Sequence, residues 1–458
     1  MSLTYRRLLP LLPLAGLSLA GAAVGMASES AINVTATDGY DDQAPLSAVA
    51  QLGKKLFFDP SLSGGGQMSC ATCHDPASHY APANGLAVQL GGPHLDQPGI
   101  RAVPSLAYKI STPSFSIGEE SAADEAAEAS PMTEASGVAL ANAPAATGPL
   151  TAQAVVKADA AATNLVPQGG MFWDGRVDSL EEQALQPMIS PFEMANADAA
   201  TVYAKLKEGY GKEISALFGD NILNDRDMTI SEIGFALARY QIEENSFHPY
   251  TSKYDYYLRG KAVLTDAEAR GLKLFDDANK GNCASCHLDK MTGDGQMPNF
   301  TDFEFEALGV PRNPAIPANA DVHYYDTGIC GPLRNDIYSA QRQNCGLFKT
   351  PTLRNVATRH VFFHNGVYRT LEDVTRFYVK RDTNPEEIYP KDASGKVLKY
   401  DDLPARYQAN IDVIDAPMNR KLGDAPALTN AEIADVVAFL KTLTDGYDPA
   451  KDNVKAAK

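Results

Sequence analysis

Apolar residues first recur at helical spacing at Leu46, Val49, Leu52 and Leu56, and Pro60, after Phe57-Phe58-Asp59, stops the run. A second helix is predicted behind Thr265-Asp266-Ala267-Glu268, a capping box in which threonine and glutamate satisfy each other's terminal amides, with Leu272, Leu274 and Phe275 as its apolar face. A third box, Thr429-Asn430-Ala431-Glu432, opens a stripe of Ile433, Val436, Val437 and Leu440, expected to pack on the second half of the chain. Alternating, strand-like runs are sparse. The pattern predicts a mainly α fold with long loops and little strand.

The first two helices share more than a period. Gly53-x-Lys55-Leu56-Phe57 corresponds to Gly271-x-Lys273-Leu274-Phe275, as an internal duplication leaves behind. Each is followed by a Cys-x-x-Cys-His string: Cys70, Cys73 and His74, then Cys283, Cys286 and His287. That spacing is the attachment string of c-type haem, in which two thiols bond the porphyrin vinyl groups and the adjoining imidazole becomes an axial iron ligand. A zinc site built from four thiols is the plainer alternative. Two histidine-terminated copies in a chain with 6 Cys and 8 His favour two covalently bound haems c. The expected organisation is one haem domain per half, residues 28–255 and 256–458. The remaining cysteines, Cys330 and Cys345, lie in glycine-containing, helix-poor stretches and read as a disulfide; closing a loop of that size contributes on the order of 3 kcal/mol.

Length and charge narrow the picture. At 458 residues the chain is long enough for two domains, and its 44% hydrophobic and 21% charged residues describe a soluble globular protein. A net charge of −17 argues against a nucleic-acid partner. Arg6-Arg7, the apolar run Leu8 to Val24 and Gly25-Met26-Ala27 read as an export signal over residues 1–27, and no later stretch is apolar enough to span a bilayer. The expected location is the periplasm, where disulfides and haem attachment are both permitted. Residues 119–163, acidic and rich in Ala, Ser, Thr and Pro, read as a flexible insertion in the first half.

The chain resembles the bacterial di-haem cytochrome c peroxidase and MauG family. The resemblance runs through Leu52-Gly53-Lys54-Lys55-Leu56-Phe57-Phe58-Asp59-Pro60, Phe172-Trp173-Asp174-Gly175-Arg176, Glu182-Gln183 and Phe192-Glu193-Met194. It continues through both Cys-x-x-Cys-His strings, Pro351-Thr352-Leu353-Arg354-Asn355-Val356-Ala357 and Phe363-His364-Asn365-Gly366. It implies that Trp173 bridges the two haems and that Gln183 and Glu193 stand on the peroxide side of the first, where a carboxylate can move a proton between the peroxide oxygens. His94 matches the removable distal histidine of the peroxidases, which MauG lacks. If it binds iron, the first haem is closed until the second is reduced; if it does not, peroxide binds directly.

At the second haem the peroxidases' distal methionine position is occupied by Tyr378, as in MauG, with Met418 the alternative ligand. Thioether ligation favours Fe(II), phenolate Fe(III). The family's calcium site is left open, because Ala102 follows Arg101 where the family usually has Asn. The implied function is reduction of hydrogen peroxide at the N-terminal haem. Electrons would come through the C-terminal haem from a small cytochrome or cupredoxin, or from a partner protein oxidised in the MauG manner. The alternative is a non-enzymatic di-haem electron-transfer cytochrome with both irons permanently closed.

Overall fold

In the computed structural model, residues 44–119 and 165–451 are described; the expected export signal and nearly all of the acidic insertion lie outside them. The helices are α1 (Ala48–Phe58), α2 (Cys70–Cys73), α3 (Leu180–Ile189), α4 (Ala199–Phe218), α5 (Arg226–Glu243), α6 (Lys253–Leu258), α7 (Asp266–Asp276), α8 (Leu371–Lys380), α9 (Pro385–Ile388) and α10 (Asn430–Lys441). Three two-stranded antiparallel ribbons interrupt them: β1 (Leu90–Gly91) with β2 (Gln97–Pro98), β3 (Ser116–Glu119) with β4 (Leu165–Gln168), and β5 (Phe305–Glu306) with β6 (Phe348–Lys349). Residues 119 and 165, the ends of the described segments, face each other across the β3–β4 ribbon.

The helix ends follow the expected chemistry. Ser47 accepts from the Ala50 amide to cap α1, and both capping boxes, Thr265/Glu268 on α7 and Thr429/Glu432 on α10, are present. Helix α1 crosses α5, and α7 crosses α10, at equivalent points. A Cβ on Gly53 would lie 1.9 Å from the Ala236 carbonyl oxygen and 3.0 Å from the Tyr240 Cβ. One on Gly271 would lie 2.0 Å from the Asp435 carbonyl oxygen and 2.9 Å from the Phe439 Cβ. Each crossing brings one backbone against another, which only glycine permits; this is why that residue recurs in the repeated sequence.

Two large cores surround these crossings. Leu52, Leu56, Phe57, Leu206, Ile233, Leu237 and Phe247 form one, and Tyr254, Phe275, Phe300, Ile433, Val437, Phe439 and Leu443 the other. Each such side chain, fully buried, contributes roughly 1.5–3 kcal/mol. Cys330 and Cys345 are bonded, with Cα atoms 4.9 Å apart. Among the described residues, no helix is long and apolar enough to cross a membrane.

Candidate functional site

Both Cys-x-x-Cys-His strings wind into one short turn. The His74 amide donates to the Cys70 carbonyl at 3.0 Å and the His287 amide to the Cys283 carbonyl at 2.8 Å. Each imidazole is then fixed from behind: His74 Nδ1 lies 3.1 Å from the Tyr80 carbonyl, and His287 Nδ1 lies 2.9 Å from the Phe300 carbonyl. A carbonyl only accepts, so Nδ1 carries the proton and Nε2 keeps its lone pair. Burial pushes both imidazoles down to about 4 and so keeps them neutral. The four thiols are free, and burial pushes Cys70, Cys73 and Cys283 up to about 12 and Cys286 higher still.

Each string lines its own cavity. The first is walled by Cys70, Cys73, His74, Met68, Leu106 and Leu237, the second by Cys283, Cys286, His287, Phe275, Leu371 and Leu440. Four thiols on two separate walls do not converge on one tetrahedral ion. Two neutral thiols and one imidazole lone pair in a largely apolar cavity are the donor set that a covalently attached haem needs, so the residues fit that group in both places.

Another part of each cavity wall is built on a second repeat. Met171-Phe172-Trp173-Asp174-Gly175-Arg176-Val177 and Phe362-Phe363-His364-Asn365-Gly366-Val367-Tyr368 share a backbone: Met171 bridges Val177 and Phe362 bridges Tyr368. Phe172 and Phe363 have φ of 66° and 63°, and Gly175 and Gly366 have 63° and 61°. The N-caps Ser179 and Thr370 follow, then α3 and α8. Position for position, Gln183 corresponds to Val374, Ala184 to Thr375 and Pro187 to Tyr378. All six line the cavities, the first three the first cavity and the others the second. Where the second cavity has a phenol, the first has a proline ring with no donor atom to offer.

The first cavity takes one carboxylate, Glu193, from outside the repeated wall. Glu193 reaches it from the loop after α3, beside Gln183, Arg176 and Phe172. Burial raises the Glu193 carboxyl above its ordinary value, and the Arg176 guanidinium partly opposes this. Arg176 lies 3.5 Å from the centre of the Phe172 ring and pairs with Asp174 at 3.0 Å. Asp174 is fully buried and also holds Arg101 at 2.7 Å, which in turn holds Asp326 at 2.6 Å. That chain of ion pairs fixes the segment bearing Trp173.

Trp173 lines both cavities and donates its indole N–H to the Ala102 carbonyl at 2.8 Å. In the second cavity Tyr378 and Met418 both contribute to the wall. The Met418 sulfur accepts from Arg381 Nη1 at 3.2 Å, whereas the Tyr378 hydroxyl makes no hydrogen bond to the described residues. Burial and the Cys286 and Cys283 thiols hold that hydroxyl protonated well above its ordinary range. His94 stands apart, exposed at the turn between β1 and β2, and lines neither cavity. Among the described residues no three His, Cys, Asp or Glu side chains are grouped to hold a metal ion.

The sequence reading did not single out Pro187, or give Arg176 a place in the first cavity. Aligning the Phe172 and Phe363 stretches with each other, not only with relatives, would have exposed the proline.

The chain is mainly helical, with two cavities each walled by a Cys-x-x-Cys-His string and a repeated loop-helix. Residues 47–263 match the family model described as di-haem cytochrome c peroxidase. The methylamine utilization protein MauG of Paracoccus denitrificans is 31% identical, with 90% of this chain and 92% of that protein covered. The cytochrome c551 peroxidase of Nitrosomonas europaea is 28% identical, with 74% and 76% covered. Among solved structures, the diheme peroxidase BthA from Burkholderia thailandensis superposes with a TM-score of 0.71 at 35% identity, with 88% of this chain and 87% of that one covered. The chain therefore belongs to the di-haem cytochrome c peroxidase and MauG family, and is a haem peroxidase whose family implies two haem groups.

Proposed function

We propose that this is a periplasmic peroxidase with one haem covalently attached through Cys70 and Cys73 in residues 28–255, and a second through Cys283 and Cys286 in residues 256–458. Hydrogen peroxide is reduced in the first cavity and electrons enter through the second. The observation that carries this reading is the paired wall, with Pro187 in the first cavity where the second has Tyr378, and Glu193 and Gln183 in the first cavity alone.

Bound there, haem supplies an iron centre that takes up peroxide and accepts or passes electrons. His74 and His287, each anchored through Nδ1 to a backbone carbonyl, would hold the iron through Nε2. Glu193, as the carboxylate, would take a proton from hydrogen peroxide and hand it to the departing oxygen; two electrons and two protons from outside complete the reduction to two waters. Its raised affinity for protons suits it to give the proton back as well as take it. Gln183 can orient the peroxide through its side-chain amide, and Arg176 keeps a positive charge near the carboxylate. Trp173, on the wall of both cavities, bridges the electron path.

Tyr378 would hold the second haem in preference to Met418, whose sulfur accepts from Arg381 Nη1. A phenolate ligand favours the oxidised state. It makes the second site a poor high-potential electron reservoir and suits oxidation of a partner protein in the MauG manner over a supply of electrons from a small cytochrome or cupredoxin. A pyridine haemochrome assay with steady-state peroxide turnover tests this reading. Two haems that survive denaturation, with turnover lost in Glu193→Gln, are expected. Two haems with no turnover in any redox state would leave an electron carrier.

A further inference from the structure

The segment that carries Glu193 folds back on the end of α3. The Met194 and Asn196 amides donate to the Pro187 and Met188 carbonyls at 3.0 and 3.1 Å, and the Glu193 and Ala195 amides both donate to the Ser190 carbonyl, at 3.1 and 3.0 Å. The turn is thus fixed by its own backbone, with Ser190 at the C-cap of α3. Within it the Ser190 hydroxyl is buried and has no hydrogen-bond partner among the described residues. A buried hydroxyl left unpaired is costly, and hydrogen bonds to a catalytic group are often long until substrate binds. The group on which this hydroxyl acts is the Glu193 carboxyl. Burial raises the proton affinity of that carboxyl, and Ser190, ahead of Arg176, opposes the rise.

The repeat puts the same position to a parallel use. With Pro187 matched to Tyr378, Ser190 falls on Arg381, the C-cap of α8. Burial raises the proton affinity of the Tyr378 phenol, and the fully buried Arg381 guanidinium opposes that rise. In each half the residue that ends the helix acts on the acid group of its own cavity.

We propose that Ser190 is a positioning residue for the peroxide reaction, its hydroxyl donating to one oxygen of the Glu193 carboxylate and leaving the other to the peroxide proton. The proposal rests on the reading that Glu193 moves that proton. The other titratable groups that act on or feel Glu193 are Arg176 and the Cys70 and Cys73 thiols. The thiols are neutral and become thioethers once haem is attached. The β1–β2 turn packs on Glu193 through uncharged residues: the Gly92 amide donates to the Glu193 carbonyl at 2.9 Å, and a Cβ on Gly91 would lie 2.9 Å from the Glu193 Cα.

The test is the pH dependence of the stopped-flow rate of the holoprotein with hydrogen peroxide, in the wild type, Ser190→Ala, Ser190→Thr and Glu193→Gln. Losing one hydrogen bond to a charged group changes a protonation equilibrium by about tenfold, or about one pH unit. Without the hydroxyl the carboxylate form is less favoured, so the acid limb of Ser190→Ala should lie higher than that of the wild type by about that much. Ser190→Thr should return it, because the extended backbone at this position, with φ −66° and ψ 127°, suits a branched residue. Should Ser190→Ala fail to fold, Ser190→Cys, whose thiol is a weaker donor, should move the limb the same way by less. A rate lowered equally at every pH with the limb unmoved, or a shift that Ser190→Thr leaves in place, would overturn the proposal. An acid limb that persists in Glu193→Gln would overturn the underlying reading instead.

Discussion

The two halves of this chain use one scaffold for opposite ends. In both, a glycine lets the helix before the haem string cross a later helix, a backbone carbonyl fixes the histidine, and a loop with phenylalanine at positive φ leads into a capped helix. Within that helix they part company where Pro187 stands in the first half and Tyr378 in the second, among other differences. A proline ring cannot ligate, so the first site keeps room for a small oxidant, and Glu193 and Gln183 line that room. The second site has a phenol in place and is lined by Val374 where the first has Gln183. On the proposed reading, the repeat supplies two cofactor frames, and a few side chains divide peroxide binding from electron handling.

Breaking the chemistry of the first half has the largest expected effect. Glu193→Gln should lower kcat/KM for hydrogen peroxide by about 10²–10⁴-fold while leaving the Soret spectrum unchanged. Glu193 acts first as the carboxylate, and burial raises its proton affinity. Wild-type activity should therefore fall on acidification at a higher pH than an ordinary carboxylate would give, and that acid limb should vanish in the glutamine variant. Next comes Tyr378→Met. It should raise the second haem's potential by on the order of 0.2 V, since axial ligands move haem potentials over about 0.8 V. An unchanged potential, with a shift on Met418→Leu instead, would hand the ligand role to Met418.

Making the halves alike sharpens the comparison from the other side. Pro187→Tyr should place a phenol opposite His74; if it occupies the site 99% of the time, the rate with peroxide drops about 100-fold. A variant that stays high-spin would mean that the repeat does not point this position at the iron. The smallest effect concerns the shared frame. Gly53→Ala and Gly271→Ala each force a Cβ against a backbone carbonyl, at 1.9 and 2.0 Å, and should each cost about 1–3 kcal/mol in denaturant titrations. A marked inequality between the two would mean that the crossings are not equivalent.

Much of this was legible in the sequence where chemistry demands a fixed spacing. The Cys-x-x-Cys-His strings, the Thr265 and Thr429 capping boxes and the repeated glycine are local requirements, so they are written locally. The pairing of Cys330 with Cys345 followed from their being the two cysteines outside the strings. The three ribbons were not foreseen, because two of them have strands of two residues, too short to show any alternation. The Pro187–Tyr378 correspondence was hidden because α3 and α8 share little beyond an opening leucine and acidic residues. Lys349 looks like a surface lysine in one dimension, and its burial on the wall of both cavities is a property of the folded chain alone. The sequence left His94 undecided between ligand and loop residue; it is exposed in the β1–β2 turn.

The most direct test is to mix hydrogen peroxide with the fully oxidised holoprotein in a stopped-flow spectrometer, with EPR of the same resting sample. If the first site is open and the second closed by Tyr378, the resting protein shows one high-spin and one low-spin ferric haem, and its Soret band changes on mixing without any prior reduction. Two low-spin haems, with no reaction until one electron has been added, would contradict this and place His94 on the first iron.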